Sequence, residues 1–311
     1  MSTTQGPHVP HATFLDSNHE DMVHDSQFDY YSTKLATCSS DRTIKIFDVV
    51  GEIYHNCATL TGHEGPVWQV AWAHPQYGVL LASCSYDGSV IIHKEQSQNN
   101  WIKVYEHRIH ESSVNSISWA PHEFGLILAC ASSDGRISVL EYSEEQRNWH
   151  VSDFKNDALG CNSVSWAPYS ALGSSSDDGS AAPVRRLVTG SCDNLVRIWR
   201  CVGGSWQEER KFSPHSPHSD WVRDVAWAPN TAMPYNIIAS CSEDRSVYIW
   251  KQTGKDEAWS STLLATFDAP VWRVSWSVTG TVLAVSGGDH KVTLWKMAVD
   301  ESWLQISTVD I

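Results

Sequence analysis

The sequence predicts an all-β fold, a ring of six blades with four antiparallel strands in each, and three observations predict it. The first is one stretch, His218 to Trp250. It holds the alternating apolar runs Trp221 to Trp227 and Ile237 to Ser242, the turn Glu243-Asp244-Arg245, and a third run, Ser246 to Trp250. Period-two alternation of β-branched and aromatic residues between polar turns is the pattern of antiparallel strands. The second is that the stretch recurs. Aligned on the turn aspartate, the copies fall at Asp41, Asp87, Asp134, Asp193, Asp244 and Asp289, spaced 46, 47, 59, 51 and 45 residues apart. The third is a tryptophan that opens an outer strand after a polar turn, at Trp101, Trp149, Trp206, Trp259 and Trp303. That five-fold recurrence supports four strands per blade, and in blade one Glu52 to Leu60 supplies the fourth.

Within a copy, His218, Ser240, Asp244 and Trp250 form a structural tetrad. The turn carboxylate can accept from the imidazole, the imidazole can engage the hydroxyl, and the hydroxyl can take the indole N–H. Such a chain ties turn to strands and satisfies polar groups that the sheet would otherwise bury unpaired. Other copies keep parts of it. The upstream histidine recurs as His19, His63 and His110 but is absent from copies four and six, where Asp157 stands at the expected place in copy four. The hydroxyl becomes Cys130 in copy three, and the terminal aromatic becomes His93 in copy two and Leu140 in copy three. A histidine, a hydroxyl, a turn aspartate and a tryptophan at these offsets resemble the repeat of WD-repeat β-propellers, and six in-phase copies cover roughly residues 17 to 296.

The chain of 311 residues carries 16 Trp and a formal net charge of −14. Nearly all the Trp fall at repeat-equivalent positions, which makes them packing between blades rather than a ligand cage. The acidic balance argues against a nucleic-acid partner, since phosphate binders concentrate Lys and Arg. No apolar run is long enough for a membrane helix, and residues 1–10 lack the apolar core of a secretion signal. Cys38, Cys84 and Cys241 share one repeat position, with Cys130 one residue earlier in its copy. The eight cysteines are therefore expected to be unpaired thiols in a reducing compartment.

Taken in order, residues 1–10 read as a flexible terminus and 11–16 as a lone short strand. The blades follow at about 19–61, 62–108, 109–155, 156–212, 213–267 and 268–311 within one domain spanning 11–311. The stretch 169–184, rich in Ser, Gly, Ala and Asp, is expected to be a mobile loop between the first two strands of blade four. No nucleophile elbow, phosphate-binding loop, zinc-protease helix motif or Cys-x-x-Cys is present, so no catalytic residue, cofactor or metal is assigned. The recurrence and partial decay of the Ser-His-Asp set across blades suits reinforcement of the fold rather than catalysis.

Several phrases go beyond the general repeat: GHEGPVWQVAWAHPQYGVLLASCSYDGSVIIHK, SSVNSISWAPHEFGLILACASSDGRISVL, GCNSVSWAP, SDWVRDVAWAP and VLAVSGGDHKVTLWK. They resemble the small WD-repeat subunit shared by the COPII vesicle coat and the Y-shaped scaffold of the nuclear pore. The resemblance implies a non-catalytic scaffold peripheral to the cytoplasmic side of endoplasmic-reticulum exit sites and coated vesicles, and at the nuclear envelope. It also implies an open ring into which an α-solenoid partner inserts a three-stranded seventh blade by β-augmentation. That partner is an outer-cage subunit in the coat and a nucleoporin in the pore, and a lysosomal nutrient-sensing complex is a further assembly. Because Trp303 to Val309 gives the sixth blade its own outer strand, the seam falls between blades six and one. Phe14, Leu15, Met22, Phe28, Val271, Trp272, Val274 and Trp276 are then the expected partner-blade interface. The alternative is a WD-repeat adaptor that reads peptides through a propeller face.

Overall fold

A computed structural model describes residues 15–157, 159–172, 183–211, 217–229, 234–254 and 257–310. Blade one comprises β1 (Val23–Phe28), β2 (Lys34–Ser39), β3 (Ile44–Val50) and β4 (Ile53–Leu60). Blade two comprises β5 (Val67–Trp72), β6 (Leu80–Ser85), β7 (Val90–Ser97) and β8 (Asn100–His107). Blade three has β9 (Val114–Trp119), β10 (Ile127–Ser132), β11 (Arg136–Ser143) and β12 (Asn148–Lys155). Blade four has β13 (Cys161–Trp166), β14 (Arg186–Ser191), β15 (Val196–Val202) and β16 (Ser205–Lys211). Blade five has β17 (Val222–Trp227), β18 (Asn236–Ser242), β19 (Ser246–Gln252) and β20 (Ser260–Thr266). Blade six has β21 (Val271–Trp276), β22 (Val282–Gly287), β23 (Lys291–Met297) and β24 (Trp303–Asp310). Each blade is an antiparallel meander of four consecutive strands, and none borrows a strand from elsewhere in the chain.

The first strand of every blade lines a central channel, and its polar, channel-facing residues alternate with apolar ones aimed at the neighbouring blade. In blades two to five the second and third strands are buried on both faces because each of these blades is pressed between two others. Five core clusters result, one at each junction from blade one through blade six. Between blades five and six, for example, Ala239, Cys241, Val247 and Ile249 meet Val271, Val274, Leu283 and Val285. Inner strands pack in succession, β1 on β5, β5 on β9, β9 on β13, β13 on β17 and β17 on β21, and no packing of comparable extent joins β21 back to β1.

Two sequence expectations change. Leu15 and Asp16 have no strand conformation, and the rest of the expected strand at 11–16, Phe14 included, lies outside the described residues. The start of the 169–184 segment is anchored, not loose. Ala171 is buried in the core between blades four and five, and Leu172 exchanges two hydrogen bonds with the Asn236 side chain of blade five. Residues 173–182 of that expected loop lie outside the described residues. All eight cysteines are free.

Candidate functional site: tetrads, channel and open seam

The tetrad of blade five is assembled. His218 Nε2 lies 2.8 Å from Ser240 Oγ, and Trp250 Nε1 donates to the same oxygen at 2.9 Å. His218 Nδ1 lies 3.3 Å from Asp244 Oδ2 and 3.1 Å from Ser246 Oγ. With the indole N–H given to Ser240, the hydroxyl proton points to Nε2, which places the imidazole proton on Nδ1, facing Asp244. Asp244 also accepts from the Ser219 and Ser246 amides. Burial works against its charged form, but these bonds from His218, Ser246 and Ser219 hold its carboxyl well below the usual range.

The decayed copies are repaired locally. In blade three Cys130 supplies no hydroxyl, and its cross-strand partner Ser138 takes the place at 2.8 Å from His110 Nε2. In blade four the residue in the histidine's role is Asn156, one position before the Asp157 expected from sequence. Its Oδ1 accepts from Thr189 Oγ1 at 2.7 Å and from Trp199 Nε1 at 3.1 Å. Asp157 instead caps the following turn through the Leu159 and Gly160 amides. The turn aspartate of that blade, Asp193, pairs with Arg197. A carboxamide offers the same donor and acceptor pair as a neutral imidazole, which is the signal that a search for histidine misses.

Blade two is repaired least. His63 keeps Ser83 at 2.8 Å and Ser89 at 2.9 Å, but the buried His93 replaces the indole and its Nδ1 has no protein partner. Burial, then the charges of His63 and Lys103, pull the His93 pKa down to about 4. A depressed histidine contributes stability that is fully present above its unfolded pKa and is lost as pH falls through the folded one. His93→Phe, with the ring that Phe47 places at this register in blade one, is expected to stabilise the protein by about 1 kcal/mol. It should also flatten the decline in stability between pH 6.5 and 4. Urea titrations of both proteins across that range check this, and parallel pH curves would refute it.

Two sets of bonds stitch successive blades around the channel. At one register each inner strand carries a side-chain acceptor for an amide of the next blade. Val70 donates to Asp25, Ile117 to Gln69, Val164 to Ser116, Val225 to Ser163 and Val274 to Asp224, over 2.8 to 3.4 Å. Three residues further on, an indole reaches back to a carbonyl of the preceding blade. Trp72 donates to Gln27, Trp119 to Ala71, Trp166 to Ser118 and Trp276 to Ala226, at 2.9 to 3.0 Å. Among the described residues that line the channel, Arg273 is the cation. Burial disfavours its charge, but Asp224 and Asp25 outweigh that and keep it protonated.

At the sixth junction the packing stops. Val23 of β1 is 45% exposed, whereas Val67, Val114, Cys161, Val222 and Val271, its equivalents by register, are all 0% exposed. On the opposite wall Ala284, Val292 and Leu294 are only half-buried, while Ala239, Val247 and Ile249 are buried at the same places in blade five. The ring is open there. Of the residues expected to face a partner blade, Met22, Phe28 and Trp272 are exposed and Leu15 is half-buried. Val271 and Val274 are not at the seam. They point to blade five and lie in its core cluster, and Trp276 is tied to the same blade through Ala226.

Comparison with known proteins agrees with this architecture. The model of the WD domain, G-beta repeat, matches residues 10–48, 55–94, 101–140, 206–251 and 261–296. The chain is 59% identical over 298 residues to "Protein SEC13 homolog" of Dictyostelium discoideum, covering 95% of this chain and 98% of that one. It is likewise 59% identical, with the same coverage, to "Protein transport protein SEC13 homolog A" of Arabidopsis thaliana. Against the Drosophila melanogaster SEC13 homolog the identity is 48%, over 94% of this chain and 82% of that one. Six WD-type blades, an open sixth junction and near-full-length likeness at this level place the chain in the SEC13 family of WD-repeat proteins.

Proposed function

We propose that the protein is a non-catalytic scaffold in protein transport, a subunit of the COPII outer cage, whose open seam receives a seventh blade from an α-solenoid coat subunit. The same seam serves an α-solenoid nucleoporin in the Y-shaped scaffold of the nuclear pore. The observation that carries the reading is Val23, exposed where its five equivalents are wholly covered. Relatives known as protein transport proteins supply the transport context. Since every blade already has four strands, the seam offers sheet faces rather than a strand edge. The partner's segment is therefore held by face-to-face packing, and backbone pairing between the chains contributes little. Covering a few hundred Å² of apolar surface there is worth several kcal/mol, at about 25 cal/mol per Å².

A peptide-reading face is disfavoured by the state of the cations. Arg223 is held by Glu243 at 2.6 Å and lies over the Trp221 and Trp272 rings, while Arg273 is turned into the channel between carboxylates. Hydrogen exchange on the chain alone and with the co-expressed blade segment of the solenoid tests the proposal. Protection is expected to rise in residues 23–28 and 282–294 on binding, while Val271 and Val274 are protected throughout. Unchanged exchange at both walls of the seam would defeat it.

A further inference from the structure

The two sets of bonds that stitch blade to blade are both broken at the seam, and each by a single residue. Where the other five inner strands carry Asp25, Gln69, Ser116, Ser163 and Asp224 as acceptors, blade six carries Arg273. A guanidinium has donors only. Where the inner strands of blades two to four carry Trp72, Trp119 and Trp166 as donors to the preceding blade, blade one carries Phe28, whose side chain has no N–H. Blade six thus cannot close on blade one by the means used elsewhere in the ring. The Ser26 amide donates to its own neighbour Asp25 but lacks the further acceptor that the equivalent amides of Val70, Ile117, Val164, Val225 and Val274 each have from the blade before. The Ser275 carbonyl is left without the indole that reaches the equivalent carbonyls of Gln27, Ala71, Ser118 and Ala226.

Resting on the reading that the seam is filled in trans, we infer that the channel-lining strand of the inserted blade runs parallel to β1 and β21 and carries a neutral hydroxyl or carboxamide acceptor, followed three residues later by tryptophan. The acceptor meets the Ser26 amide on blade one, and the indole reaches the Ser275 carbonyl on blade six, so one strand straps both walls together. The three-residue spacing is that of Gln69 with Trp72, Ser116 with Trp119 and Ser163 with Trp166. Neutrality of the acceptor follows from the channel's charges. Asp25 and Asp224 already outnumber Arg273, and burial works against both carboxylates. A third carboxylate beside Asp25 would add uncompensated charge. The chain's own terminus lacks the pair: residues 1–14 contain no tryptophan and are interrupted by Pro7 and Pro10.

The probe is the purified blade segment of the α-solenoid coat subunit, titrated against the full chain. Ser26→Pro deletes the amide on the channel side of an inner strand, where proline is tolerated. It is expected to weaken binding about 3- to 10-fold, and the free chain, which loses the Ser26 amide's bond to Asp25, still melts in one cooperative transition. Replacing the segment's acceptor with alanine should cost the same factor against the unaltered chain and nothing further against Ser26→Pro. Slowed exchange of the Ser26 amide in the unaltered complex gives the same information without a variant. Binding of Ser26→Pro equal to that of the unaltered chain, or a bound segment with no acceptor-x-x-Trp pair, overturns the inference and leaves blade insertion standing. Failure of the unaltered chain to bind the segment overturns both. Protection of Ser26 in the free chain that vanishes on deletion of residues 1–14 would make the chain's own terminus the occupant and also overturn it.

Discussion

Glu209→Gln is expected to lower the free energy of unfolding by about 3 kcal/mol, although Glu209 belongs to an outer strand and touches solvent. Its partner is the reason. The Arg186 side chain is almost wholly buried and is held by Glu209 in a two-pronged pair, Nε to Oε2 at 2.7 Å and Nη2 to Oε1 at 2.9 Å. Arg186 Nη1 donates to the Leu172 carbonyl at 2.7 Å, and its guanidinium lies 5.2 Å from the Trp227 ring centroid in blade five. Burial alone pulls its pKa below the usual arginine value, and Glu209 only partly restores it. Removing the counter-charge leaves a buried cation uncompensated, whereas removing the cation does not. The double variant Arg186→Met with Glu209→Gln should therefore be more stable than Glu209→Gln alone. Urea titration decides, and a double variant less stable than the single would refute the account.

The second large effect is expected at His218. His218→Ala should cost about 2–3 kcal/mol, because Ser240 and Asp244 lose their shared partner while remaining largely inaccessible to water. His63→Ala should cost less. Ser83 has no indole to orient, and it keeps the Ile91 carbonyl as an acceptor at 3.4 Å. Equal shifts of the denaturation midpoint in the two variants would refute this order.

The sequence revealed the ring because its signals are local. A turn aspartate in phase six times, with strands on either side, requires no knowledge of which blade lies where. The fourth strand of blade six was legible at Trp303 for the same reason. What failed is instructive. Val271 and Val274 are apolar and alternate correctly, but alternation shows only that a strand has two faces, not which neighbour each face meets. That is decided by the handedness of the ring, which turns them towards blade five. Asn156 was missed because the search followed residue type, whereas the structure selects a donor and acceptor in the right place. Arg186 gave no signal at all, since an arginine at the start of a strand looks solvent-facing until Leu172 and Trp227 are seen against it. Phe28 was read only as part of the expected partner-blade interface, and Arg273 was not singled out. The roles of both emerged only when the equivalent positions in other blades proved to carry bonds between blades.

Many rings fasten their last blade with the first strand of the chain, so that the two ends must find each other before the structure holds. Here, within each blade, every strand pairs with the next in sequence, and each blade after the first packs on the one made just before it. The partners are therefore close in sequence, a low contact order that favours rapid assembly. On the ribosome each blade can form as it emerges and serve as the template for the next, in the manner of a repeat array. The protein is better regarded as a bent stack than as a circle. Its open seam is simply where the stack has two ends, and a partner need only join those ends once synthesis is complete.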